Sequence, residues 1–208
     1  MEGTHSLRDS NSRIKFQLCD KSKESDYNRI KRESDGAGIL WFNRVNDAEV
    51  CLGGSPVDFR FFKFKEDSSF QNLKDFLGVI LGIIGLVKLG FWNTDIEIRG
   101  DSISALTWAE TKRYGGERVT NASMIFASTI FAYLCIAYGV NVKLASHIAG
   151  VDNGRCDDLS RLTSSGKSVG ETMKKHKPRN AAEINIGEDA TNHRFITNLF
   201  SNLFCQSV

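Results

Sequence analysis

The chain has 208 residues, enough for one ordinary domain with tails or for two small ones. Its 41% hydrophobic and 25% charged residues are the proportions of a soluble globular protein. A formal net charge of +2 argues neither for nor against nucleic acid, so any basic surface must be local. Cys19, Cys51, Cys135, Cys156 and Cys205 show no C-x-x-C spacing and are odd in number, which reads as reduced, packed thiols of an intracellular protein. The polar amino terminus is no signal peptide.

Residues 1–12 are polar and read as a disordered start. Over 13–19 the chain alternates, with Ile14, Phe16 and Leu18 against Lys15 and Gln17, and Asp20 ends the strand. The run 21–34 is charged and aperiodic, an extended turn or insertion. Gly36-Ala37-Gly38 opens a strand over 39–42. It lacks the third Gly and the following helix of a dinucleotide fingerprint. Residues 44–47 turn the chain. Either 49–52 or the Phe-rich 58–65 returns beside that strand, and the pattern leaves the choice open.

Residues 70–88 form the first long helix. Gly78, Gly82 and Gly85 share one face, which lets the helix lie very close to a sheet or another helix. Asp75 lies in its first turns, where an acidic side chain also suits the helix dipole. Ile96 and Ile98 alternate with Glu97 and Arg99 in a half-buried strand over 94–100, and Asp101 follows Gly100. A helix covers 102–112, so Asp101 is either a site residue beyond a strand end or a helix N-cap. A basic, Gly-containing loop spans 112–118. Thr120 and Asn121 can cap a helix that runs to about Tyr138 and is ended by Gly139. A strand over 140–145 leads into Ser146 and His147, and the domain's last helix begins within 153–162.

The apolar runs 76–87 and 124–140 could suggest a membrane hairpin. A span needs about twenty apolar residues, and buried helices of an α/β fold explain both runs better. Residues 162–170 are Ser/Gly-rich and read as linker, with a basic run at 174–179. In the tail, Phe195, Ile196, Leu199, Phe200, Leu203 and Phe204 lie on one helical stripe over 194–204. Arg99-Gly100-Asp101-Ser102, Asn121-Ala122-Ser123 and Gly166-Lys167-Ser168 spell fragments of known motifs without the context those motifs need.

Four carboxylates thus fall at junctions of elements: Asp20, Asp75, Asp101 and Asp157. Clustered carboxylates repel unless cations neutralise them. Hard oxygen donors suit Mg²⁺ or Mn²⁺, and a pair of such ions can bind both the attacking and the leaving oxygen of a phosphodiester.

The segment His147-Ile148-Ala149-Gly150-Val151-Asp152-Asn153-Gly154-Arg155-Cys156-Asp157-Asp158-Leu159-Ser160-Arg161 resembles the closing motif of the ribonuclease H domain of reverse transcriptases, H-I-P-G-x-x-N-x-x-A-D-x-L-S-R. The Leu-Ser-Arg register assigns the acidic position to Asp157 rather than Asp158. The segment G-D-S-I-S-A-L-T-W-A is similar to the family's strand–Asp–helix unit, especially in DIRS-like retroelements. The resemblance covers 13–162 and is strongest in the second half.

It implies an α/β fold with a mixed five-stranded sheet flanked by helices, occupying 13–162, with 163–208 as linker and tail. It also implies a metal-dependent endonuclease that cuts the RNA strand of RNA–DNA hybrids. Asp20, Asp75, Asp101 and Asp157 would hold two Mg²⁺ or Mn²⁺ ions. His147 would lie on the loop that helps product leave. Lys112, Arg113, Arg118 and Asn153 would meet the hybrid. The family has Glu in its first long helix, in E-L-L-A, whereas this chain has Asp75-Phe76-Leu77-Gly78, one methylene shorter. Asp26 and Asp35 stand as alternatives to Asp20. No Y-x-D-D-like polymerase motif occurs in the chain, so the polymerase part of a reverse transcriptase is expected as a partner or as a lost neighbour. The competing expectation is an inactive ribonuclease H-like module that binds or tethers.

Overall fold

The computed structural model describes residues 13–20, 36–45, 48–58, 68–111, 122–162, 168–175 and 182–183. The alternating strand β1 (Arg13–Asp20) lies inside a mixed sheet. It pairs antiparallel with β2 (Gly36–Val45) and parallel with β4 (Asp95–Gly100). The return strand β3 (Ala48–Asp58) follows β2 and pairs with it along its whole length, which settles the choice between 49–52 and 58–65 in favour of the first. It runs through Gly53-Gly54-Ser55-Pro56, a stretch that reads as a turn by composition. Pro56 is tolerated because the neighbour on β3's outer side is only two residues long and asks for few donors.

On the other flank, β5 (Asn141–His147) pairs parallel with β4. Among the described residues the sheet has six strands, not the expected five, in the order β5-β4-β1-β2-β3-β6, where β6 (Ala182–Glu183) adds a two-residue parallel edge beside Gly53 and Gly54. Residues past 162 thus add to the same sheet. Between the two lies α5 (Val169–Lys175), packed against β3 and the last helix of the expected domain, α4 (Gly154–Ser160). A Ser/Gly-rich composition hid this helix, but its start has a sequence signature. Ser168 Oγ accepts from the Glu171 N–H at 3.1 Å, and Glu171 Oε2 accepts from the Ser168 N–H at 3.1 Å. That is the S-x-x-E capping box, which satisfies two otherwise orphaned backbone donors.

Three helices cover one face of the sheet: α1 (Ser68–Lys88), α2 (Ile103–Thr111) and α3 (Ala122–Ala137). The main core lies under them and includes Ile39, Trp41, Phe76, Ile80, Ile96, Ile98 and Phe131. A smaller core on the opposite face joins Leu40, Phe42 and Cys51 to Cys156, Leu159 and Leu162 of the α4 region. The apolar run of α1 is buried nearly all round, with Phe76 edge-on to Trp108 and tilted against Phe131. No helix among the described residues is long and apolar enough to cross a membrane.

The glycine face of α1 meets β2. Trp41 is fully buried, and its Nε1–H donates to the Gly82 carbonyl at 2.9 Å. A Cβ on Gly85 would overlap the Trp41 ring. The glycines therefore admit an indole between helix and sheet, and its contacts offset their cost of about 1 kcal/mol each against Ala.

In the smaller core, burial pushes the Cys51 thiol above its ordinary value, partly opposed by a backbone hydrogen bond from Gly53 and by the positive Arg155. The fold keeps the proton past the pH at which an unfolded chain releases it. Stability from this group is intact below about pH 9 and falls as the pH rises further. Cys51 in the native protein is expected to react with iodoacetamide far more slowly than in urea, and Cys51→Ala is expected to flatten the alkaline fall of the unfolding midpoint.

Candidate functional site

Strands β1, β4 and β5 run parallel, so their carboxyl ends share one edge of the sheet. Asp20 is the last residue of β1. Asp101 directly follows the last residue of β4. His147 ends β5, in register with Gly100, and is exposed. The Ile148 N–H donates to the Gly100 carbonyl at 2.8 Å, so β5 stays paired beside Asp101 beyond its own end.

Chain connectivity brings Asp75 to the same edge. Residues 89–94 alone link α1 to β4, and so short a link holds the end of α1 at the edge where β4 begins. From Lys88 back to Asp75 the helix rises about 20 Å. The six residues of β4 span about the same length in the same direction. Asp75 is thereby level with the carboxyl ends of the strands. Its side chain is half-buried and engages a neighbour.

Helix α4 arrives from the opposite face. A Cβ on Gly38 would overlap the Cys156 carbonyl, so the α4 backbone rests on β2 where only a glycine leaves room. Gly38 is in register with Cys19, one residue before Asp20. The backbone of Asp157, next to Cys156, is brought to the end of β1 by this contact. In the G-x-G of 36–38, Gly38 thus provides clearance for a helix.

Asp101 is half-buried, and it is not the cap of α2. Ser102 is. Its Oγ accepts from the Ala105 N–H at 3.4 Å, and its carbonyl accepts from the Leu106 N–H at 3.1 Å. The reading of Asp101 as an N-cap is corrected by this geometry. Ser102→Ala is expected to cost about 1 kcal/mol of stability in chemical denaturation, the usual loss for an N-cap serine.

Asn153 differs from expectation. Expected to meet the hybrid, it is fully buried and engages a neighbour within the protein at the end of the 3-10 turn Gly150–Asn153. Lys112, Arg113 and Arg118 lie outside the described residues, as do Asp26, Asp35 and the tail helix expected over 194–204.

Among the described residues no three His, Cys, Asp or Glu side chains are grouped to hold a metal ion. The side chains of Asp20 and Asp157 lie outside that description, so these two are placed by backbone alone. What the backbone gathers at the edge is a set of carboxylates, the donor type that suits Mg²⁺ or Mn²⁺ rather than zinc.

No protein-family model matches the chain, and no curated protein does. Among solved structures it is similar to RNase H1 from the halophilic archaeon Halobacterium salinarum NRC-1, at 17% identity and a TM-score of 0.45, covering 75% of this chain and 98% of that one. It is similar to the N-terminal RNase H domain of Rv2228c from Mycobacterium tuberculosis, at 15% identity and 0.43, covering 71% and 94%. LC11-RNase H1, isolated from compost by a metagenomic approach, gives 14% and 0.41 in its complex with an RNA/DNA hybrid, covering 79% and 98%. Likeness this loose transfers no residue role and no substrate.

Proposed function

We propose that this chain is a metal-dependent endonuclease that hydrolyses the RNA strand of RNA–DNA hybrids, derived from the reverse transcriptase of a retroelement and acting inside the cell. One observation carries the reading. Asp20, Asp75, Asp101 and Asp157, far apart in sequence, lie on or directly after β1, α1, β4 and α4, whose backbones come together at one sheet edge. A core has no use for that convergence, since like charges brought together raise the free energy of the fold. Asp101 stands directly before Ser102, whose hydroxyl supplies the cap of α2.

Asp20, Asp75, Asp101 and Asp157 would hold two Mg²⁺ or Mn²⁺ ions, which supply charge neutralisation at the scissile phosphodiester. The protein's own part is to fix where those carboxylates stand. Parallel pairing holds Asp20 beside Asp101, the Gly38 contact sets the height of α4, and the Trp41 contact sets α1. His147, exposed at the end of β5, would stand beside the reacting phosphate and help product leave. Lys112, Arg113 and Arg118 would contact phosphates, which position a hybrid without reading its sequence. A polymerase part of the same element is the expected protein partner.

A second reading has its own observation. Asp75 is one methylene shorter than the Glu of the family pattern, and it sits half-buried. If its carboxylate falls short, the same fold binds hybrid without cutting. Incubating the full chain with a labelled RNA–DNA hybrid and Mg²⁺ separates the two. Cleavage of the RNA strand supports the nuclease. Binding without cleavage, with cleavage gained by Asp75→Glu, identifies a weakened site. No cleavage by either protein removes the nuclease reading.

A further inference from the structure

Helix α3 buries Met124, Ala127, Ile130, Phe131 and Leu134 on one side, yet its other side is also apolar. Ile125 is 50% exposed, Tyr133 66% and Ile136 82%, and Thr129 completes the stripe at helical spacing. Not one of the helix's sixteen residues is charged. Outer faces of surface helices normally carry charge, so a bare apolar stripe marks a docking surface. The patch continues past the helix: the Asn93 N–H donates to the Tyr138 carbonyl at 2.8 Å, bringing the link that carries exposed Trp92 beside Tyr138.

We infer that the outer face of α3 is the docking site of this chain's own carboxyl-terminal segment, residues 195–204. The chain continues for 25 residues beyond Glu183, and from 195 to its end it too carries no charge. Its stripe of Phe195, Ile196, Leu199, Phe200, Leu203 and Phe204 matches the α3 face in character. Ten residues are too few to make a stable helix alone in water, so this segment needs a surface to fold on. Reach is sufficient. The sheet measures about 24 Å from β6 to β5 with one helix layer of about 10 Å above it, and residues 184–194 extend to about 36 Å. A tethered segment at this range acts at an effective concentration in the millimolar range, which favours it over a second copy of the chain.

The test is a cross-link in the full chain. Cys205 directly follows the stripe, while Cys51, Cys135 and Cys156 are buried. Tyr133→Cys puts a thiol on the α3 face, and Ile103→Cys puts one at an equally exposed position on α2, with both parent residues 66% exposed. Under mild oxidation, Tyr133→Cys is expected to form an intramolecular bond to Cys205, read by peptide mapping, at about ten times the yield of Ile103→Cys. Adding Phe200→Asp is expected to remove that preference. Equal yields at the two positions, a bond between two chains, or indifference to Phe200→Asp would overturn the assignment.

Discussion

Asp101→Asn is expected to lower cleavage of an RNA–DNA hybrid in Mg²⁺ by about a hundredfold or more, while shifting stability by no more than about 0.5 kcal/mol. The substitution keeps shape and removes a negative charge. Asp101 stands just past β4, beside the end of β1, where the proposed chemistry needs that charge. The cap of α2 comes from Ser102, and Asn keeps the size of Asp101 and its capacity to accept hydrogen bonds. The two measurements must be made together. Full activity in Asp101→Asn would remove the residue from the site. A large loss of stability would show that its half-buried carboxylate serves the fold instead.

Gly38→Ala is expected to act on both stability and activity, through geometry alone. The added methyl meets the Cys156 carbonyl, a backbone atom that cannot rotate away. Helix α4 must lift from β2, at a cost near the upper end of the roughly 1–3 kcal/mol typical of overpacking. Asp157 moves with it. A displacement of the order of 1 Å can lower a rate about a hundredfold, so activity falls even in the molecules that remain folded. Gly154→Ala is the matched control: it lies at the start of the same helix, in αR geometry, with nothing within 4 Å of an added Cβ. It is expected to change neither quantity measurably. Equal effects of the two substitutions would show that the Gly38 contact does not position α4.

Much of the fold was legible because short-range patterns carry it. Alternation over Ile14-Phe16-Leu18 and over Ile96-Ile98 marks two strands, since a sheet with one face on the core demands a period of two. Gly139 ends α3 with a backbone φ of +63°, as a helix-terminating glycine should. The glycine face of α1 foretold a close approach, and Trp41 is what approaches. Elsewhere composition misled. The return strand extends past the 49–52 read from the pattern, through Gly53-Gly54-Ser55-Pro56, and the Ser/Gly-rich run after 162 conceals α5, although its S-x-x-E cap was there to be found.

Most of the strands and helices, and the acidic residues at their ends, are legible along the chain because they follow from neighbours a few positions apart. Packing alone reveals that these ends lie on one edge, that Ser102 caps α2, that Asn153 is buried, and that Gly38 makes room for α4. Each of those facts depends on contacts between residues distant along the chain, such as Gly38 against Cys156, and no local pattern encodes the distance between two elements until they pack.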